Sequence, residues 1–312
     1  MAGEKEEVDY SLQYFTLKAL QAGTFKHTNF PVDYSVDGGN TWTTLSEESS
    51  TPTVQAGTKV MFRGTITPST SYGVGTFTGT NNFAAEGNVM SLLYGDNFVG
   101  QVDLTGKNYA FFDLFYCASY LQSAKNLSLP ATTLAQYCYQ SMFFGCTSLT
   151  TAPELPATTL ALYCYNSMFY GCTSLTTAPE LPATTFALHC YNCYQSMFYG
   201  CTSLTTAPEL PATTLTSYCY HSMFYGCTSL TTAPELPATT LTSYCYHSMF
   251  YGCTNLNYIK AMFTTSPSSS YTGNWVSGVA SSGTFVKNSA ASWNVTGVNG
   301  IPRGWTVQKA DS

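Results

Sequence analysis

The residues with the most chemistry to offer are twelve cysteines, all from Cys117 onward. Ten of them form two regularly spaced columns: Cys138, Cys164, Cys193, Cys219, Cys245, and Cys146, Cys172, Cys201, Cys227, Cys253. Such a count can build a secreted disulfide framework. It can equally build two spines of buried thiols, because enclosed cysteine behaves as a small apolar residue. Equivalent residues of stacked strands lie about 4.8 Å apart with parallel Cβ vectors, a poor disulfide geometry, so buried free thiols are expected. His189-Cys190-Tyr-Asn-Cys193 offers a C-x-x-C beside a histidine, which is half of a zinc site. No second ligand pair at finger spacing accompanies it, and duplication of a Cys-Tyr-Asn/Gln unit accounts for the extra residues, so no metal site is expected.

Other reactive types are equally repetitive. His221 and His247 share a column with Gln140, Asn166 and Gln195, which reads as an exposed, freely varying position. Glu154, Glu180, Glu209 and Glu235 are one repeated position, giving like charges in a row rather than an acid and a base. No Ser/His/Asp set, phosphate loop or catalytic carboxylate pair stands out, so neither enzyme activity nor a cofactor is expected. The sharper signal is aromatic: Phe144, Tyr170, Tyr199, Tyr225 and Tyr251 form one column, and Tyr139, Tyr165, Tyr194, Tyr220 and Tyr246 another. Tyrosine joins an apolar ring to a hydroxyl, the composition of adhesive surfaces and sugar platforms. The competing reading is that one column fills the interior. Thr150-Thr151 and Thr158-Thr159 begin columns of a flat, hydroxylated face. The candidate ligand-binding surface is therefore Tyr170, Tyr199, Tyr225 and Tyr251, with Thr151, Thr177, Thr206, Thr232, Glu180 and Glu209.

These columns exist because one sentence of sequence recurs. Met168-Phe-Tyr-Gly-Cys-Thr-Ser-Leu-Thr-Thr-Ala-Pro-Glu-Leu-Pro begins again at Met142, Met197, Met223 and Met249, in steps of 26, 29, 26 and 26 residues. A period in the 20s with apolar residues at fixed offsets implies a solenoid, each coil burying its inner face against its neighbours. Leu149, Ala152 and Leu155 point inward around a short strand at 149–152, stacked into a narrow parallel sheet, which Pro153 and Pro156 end. Apolar spacings from Leu160 to Phe169 suggest a helical turn closing on Gly171. Degenerate coils from Leu114 and from Cys253 to Met262 suit the ends of a stack.

The expected architecture is mainly β with short helical turns: a tail at 1–8, a β-sandwich or jelly-roll-like module at 9–110, a solenoid of about six coils at 111–262, and a C-terminal cap at 263–312 carrying Trp275, Trp293 and Trp305. Alternating runs at Val32–Val36, Lys59–Ile66 and Gly75–Thr78 are the module's strands. Ser35-Val-Asp-Gly-Gly-Asn-Thr-Trp42 resembles the Asp-box hairpin of sialidases, in which Asp caps a Gly turn and Trp packs beneath it. One copy and two arginines make it structural rather than catalytic.

Charge narrows the function classes. Only 9% of residues are charged, and no Lys or Arg occurs between Lys125 and Lys260. Nucleic-acid binding needs a basic stripe and is discarded. The same interval offers trypsin no site, which suits a protease-rich setting. The N-terminus has no apolar core of a leader and no run of about 18 apolar residues occurs, so the chain as given is expected neither to be exported by a signal nor to enter a membrane; either a leader has been trimmed or the protein reaches the outside by another route such as cell lysis.

Phe-x-x-Cys-x-x-Leu-x-x-Ala-x-x-Leu-Pro-x-x-x-Leu resembles the BspA-like class of leucine-rich repeats over about 114–262, with Ala for Ile and one more residue before Leu-Pro. The resemblance implies a right-handed solenoid used for binding, often in adhesion at bacterial surfaces. A β-module, these coils and an end such as Gly300-Ile-Pro-Arg-Gly-Trp305 also resemble three-part chains of tailed phages and prophages of gut bacteria. Together they imply a virion fibre, spike or decoration protein that binds a bacterial surface glycan or protein and meets other virion proteins through its N-terminal module. A cell-surface or secreted adhesin and a purely structural spacer are the alternatives.

Overall fold

The computed structural model describes residues 8–68, 73–184, 186 and 190–310. The fold is mainly β; among the described residues there are two single-turn α-helices, α1 (Ser91–Tyr94) and α2 (Ser269–Thr272), and two short 3-10 turns. Its strands are β1 (Phe15–Ala19), β2 (Phe25–His27), β3 (Val32–Ser35), β4 (Thr43–Leu45), β5 (Lys59–Arg63), β6 (Phe77–Gly79), β7 (Phe83–Asn88), β8 (Leu121–Ser128), β9 (Tyr258–Ala261), β10 (Thr284–Lys287) and β11 (Thr306–Lys309). No helix among the described residues is long and apolar enough to cross a membrane.

A six-stranded open sheet in the order β4-β3-β5-β1-β7-β8 forms the N-terminal part. Alternation puts Phe15, Leu17, Val60, Phe62, Phe83 and Ala85 on one buried face. The two-stranded sheet β2-β6 covers that face. Phe77 sits 4.9 Å from both Phe15 and Phe62, and Phe25 lies 5.5 Å from Phe83. On the hairpin between β3 and β4, Asp37 accepts from the Thr41 amide at 2.9 Å and the Thr41 hydroxyl at 2.6 Å. Trp42 packs edge-on against Tyr14 and lies beneath the Arg63 guanidinium at 4.2 Å.

The sheet does not stop where the repeats begin. β8 pairs in parallel with β7, from Phe83↔Leu121 to Asn88↔Ser128. The aromatic core follows: Phe15 lies 6.0 Å from Phe115, which stacks on Phe143 at 5.4 Å. The module thereby caps the first repeat, whose Leu114 carbonyl accepts from the Phe77 amide at 2.7 Å.

From there the chain stacks segments 109–117, 137–145, 163–171, 192–200, 218–226, 244–252 and 270–278 one upon the next. Alternate amides of each level donate to the following one, as from Tyr137 to Leu162, Tyr139 to Cys164, Ser141 to Asn166, Phe143 to Met168 and Gly145 to Tyr170. The amides between them turn back three residues within their own level: Gln140 to Tyr137, Met142 to Tyr139, Phe144 to Ser141. Every fourth residue has positive φ to make this possible, for example Tyr137 at 60°, Ser141 at 52° and Gly145 at 69°. That conformation is unfavourable for Tyr and Ser by about 1–2 kcal/mol each, and the five bonds to the next level hold it in place.

Two sequence expectations change here. The stretch Leu160–Phe169 is not a helical turn, because every second amide is drawn to the next level and no run of i→i−4 bonds can form. The expected strands at 149–152 reduce to single parallel bridges, Ser123↔Thr151, Thr177↔Thr206 and Thr232↔Tyr258. Pro153 and Pro156 bring no N–H to lengthen them. Regular parallel pairing returns at the C-terminal end, where β9, β10 and β11 join in register. There the indole N–H groups of Trp275, Trp293 and Trp305 donate to the carbonyls of Gly300, Phe263 and Ala280.

Candidate functional site

The candidate tyrosines form a continuous outer ladder. Centroids lie 5.0 Å apart from Tyr116 to Phe144, 4.5 Å on to Tyr170, then 4.4, 4.3 and 4.6 Å through Tyr199 and Tyr225 to Tyr251. Their planes are within 13° of parallel. Each internal ring has both faces covered by its neighbours and shows solvent only its edge and hydroxyl. Burial, followed by the adjoining tyrosines, pushes the Tyr199 phenol up to about 12, so it stays a donor at neutral pH. The second column resolves the other way: Tyr139, Tyr165, Tyr194, Tyr220 and Tyr246 are about 1% exposed and fill the core.

A third aromatic column escaped the sequence reading. Tyr109 stacks on Tyr137 at 4.5 Å, Tyr137 on Tyr163 at 4.9 Å and Tyr218 on Tyr244 at 4.8 Å, with Asn192 taking the place between. Its signal was the triplet Tyr-Cys-Tyr at 137–139, 163–165, 218–220 and 244–246, whose first ring faces out and second faces in. Between the two outer ladders runs the column of Gln140, Asn166, Gln195, His221 and His247, which is neither fully exposed nor freely varying. The Gln140 amide donates to Asn166 at 3.4 Å and Asn166 to Gln195 at 3.3 Å. Asn166 is 8% exposed. His221 and His247 continue the row as rings stacked at 5.0 Å. Burial, and then the neighbouring His247, lowers His221 to about 4, so this row is uncharged at neutral pH.

The other candidates lie on separate strips. Thr151, Thr177, Thr206 and Thr232 are exposed along the line of single bridges, with Thr151 hydrogen-bonded to the Ser123 hydroxyl at 2.6 Å. Glu180 rims a cavity of about 360 Å³ between the Pro153–Pro156 loop and Pro179 and Pro182. Glu209 rims another of about 450 Å³ with Pro208, Pro211 and Pro234. No tyrosine lines either cavity. The ten candidates therefore do not converge on one pocket.

The thiols have a constructive role in the interior. Cys146, Cys172, Cys201, Cys227 and Cys253 donate to the carbonyls of Phe115, Phe143, Phe169, Phe198 and Phe224 of the preceding level at 3.0–3.1 Å. Burial pushes Cys164 and Cys201 up to about 12, which leaves them protonated and unreactive. One member of the predicted free columns departs: Cys193 is disulfide-bonded to Cys190, its neighbour within the C-x-x-C and not in the stack. The three extra residues before level 192–200 bring that partner within reach, with a Cα–Cα distance of 5.8 Å. His189 of the proposed half-site lies outside the described residues.

The N-terminal module adds one polar cluster. Arg63 meets Asp96 at 2.7 Å and Asp33 at 3.5 Å, and the Tyr14 hydroxyl donates to Asp96 at 2.9 Å. These groups pair with one another. The chain matches no protein-family model, no curated protein and no solved structure.

Proposed function

We propose that this is a non-catalytic recognition protein whose stacked levels form a leucine-rich-repeat solenoid of the BspA-like class, borne on a phage virion and presented to a bacterial surface glycan or protein. The observation that carries the proposal is the outward face of levels 137–145 to 244–252, where uncharged rows of phenol, amide and imidazole repeat without interruption by Lys, Arg, Asp or Glu. A hydrolase needs an acid and a base that this face lacks. The repeat motif supports the solenoid class. The three-part order of β-module, coils and Trp-rich end supports the virion setting, with the N-terminal module as the attachment to other virion proteins.

The test is binding of labelled full-length protein to a panel of gut-bacterial strains. Strain-selective retention that falls when outward tyrosines are replaced supports recognition. Equal, weak retention by every strain reduces the protein to a spacer.

A further inference from the structure

We propose, resting on the recognition reading above, that the ligand of this face is a neutral, linear, hydroxyl-rich glycan lying along the stack, one sugar unit per level. The chemistry of the face repeats every 4.3–4.6 Å from Phe144 to Tyr251. A compact ligand meets two or three levels at most, whereas a chain extended along the axis meets all of them, and an extended pyranose unit is only somewhat longer than one step.

The stacking also decides how a sugar is held. Because neighbouring rings cover both faces of Tyr170, Tyr199 and Tyr225, face-on packing of a sugar against an open ring is closed to the ladder. What remains is a row of hydroxyl edges, from Tyr170 to Tyr251, beside the partly exposed amides of Gln140 and Gln195. Both groups donate and accept, as sugar hydroxyls do. The outward segments hold no formal charge, so an anionic polymer finds no counter-charge there, while an uncharged chain forgoes nothing.

Each tyrosine level then contributes one ordinary hydrogen bond, worth about two- to tenfold in affinity. Affinity is therefore built by length. The probe is a series of neutral linear oligosaccharides of increasing length, titrated into the full-length protein by calorimetry. The expected result is an affinity that climbs about two- to tenfold per added unit, levels off once the chain spans the uncharged levels, and ignores added salt. The informative variant is the triple Tyr170→Phe, Tyr199→Phe, Tyr225→Phe. Phe144 already occupies this column, stacked at 4.5 Å, so the ladder accepts a ring without its hydroxyl and the fold is retained. The triple variant should unfold as the parent does, yet bind the longest oligosaccharide about tenfold or more weakly and the shortest nearly unchanged. Affinity that is independent of length, lowered by salt or unmoved by the triple variant overturns the inference, as does failure of every neutral oligosaccharide to bind. If cells are still bound selectively in that case, recognition stands and the glycan assignment alone falls. If cells are not bound either, both fall.

Discussion

Truncating Phe198 to alanine should be among the most damaging single changes in the repeats, and the way its damage combines with others tests the stacking directly. Phe198 is 0% exposed, between Phe169 at 5.6 Å and Phe224 at 5.7 Å, with its own amide donating to Met223 of the next level. Removing a fully buried phenylalanine costs about 3–5 kcal/mol through lost transfer energy and the cavity left behind. That is a large share of the 5–15 kcal/mol typical of a folded domain. Tyr199→Ala, one residue along but partly exposed, loses two stacked contacts of about 0.5–1.5 kcal/mol each and leaves a gap open to solvent rather than an enclosed cavity, so it should cost less. Urea unfolding of full-length variants should rank them so. The double variant with Phe224→Ala shares one cavity and one ring contact, and should fall short of the sum by about 0.5–1.5 kcal/mol. The double with Phe115→Ala, three levels away, should be additive. Hydrogen exchange should rise at levels 163–171 and 218–226 before it rises in β1. A Phe198→Ala cost below about 1 kcal/mol, or equal additivity for both doubles, would refute the nearest-neighbour stack.

Three further outcomes follow from buried polar groups. The Tyr139 hydroxyl is buried without a hydrogen-bond partner, so Tyr139→Phe should stabilise by about 1 kcal/mol in urea; a comparable loss would mean that the hydroxyl has a role unseen here. Burial raises Asp113 from 3.8 to about 7, so its protonated form favours folding and that contribution is lost as pH rises from about 4 to 7. Asp113→Asn should accordingly be neutral near pH 3, gain between those values and hold a gain of roughly 1–2 kcal/mol at pH 8, allowing for the carboxyl's partial exposure; a gain that is flat with pH would contradict this assignment. Thiol labelling of the native protein should reach Cys117 alone, and labelling after unfolding without reductant should reach every cysteine except Cys190 and Cys193, as read by mass.

Much of the molecule was legible because repetition converts sequence offsets into spatial columns. The inward Leu149, the buried thiols and the stacked Tyr170 column all follow from residues recurring at one step. The Asp37 turn and its Trp42 were equally readable, since the Asp-Gly-Gly grammar is local. Less was legible where two periodicities look alike. Apolar residues three or four apart at Leu160–Phe169 suit a helix, but they also suit a chain that turns back every four residues. The choice lies with hydrogen bonds to another level, which no local window contains. The Tyr137 and Gln140 columns were missed or undervalued for that reason, because the side of the backbone they occupy depends on this choice.

The amino-acid sequence by itself determined the period, the composition of each column, the uncharged character of the repeats and the mainly β content, because these depend on residue types and offsets alone. Only the tertiary structure decided which tyrosines fill the core and which face out, that the outward rings cover one another's faces, that Cys193 leaves its column for Cys190, and that the module's sheet continues into the first repeat through β8. Those outcomes rest on which backbone amides pair across some 26 residues of chain, and such pairing becomes definite only when one level is laid upon the next.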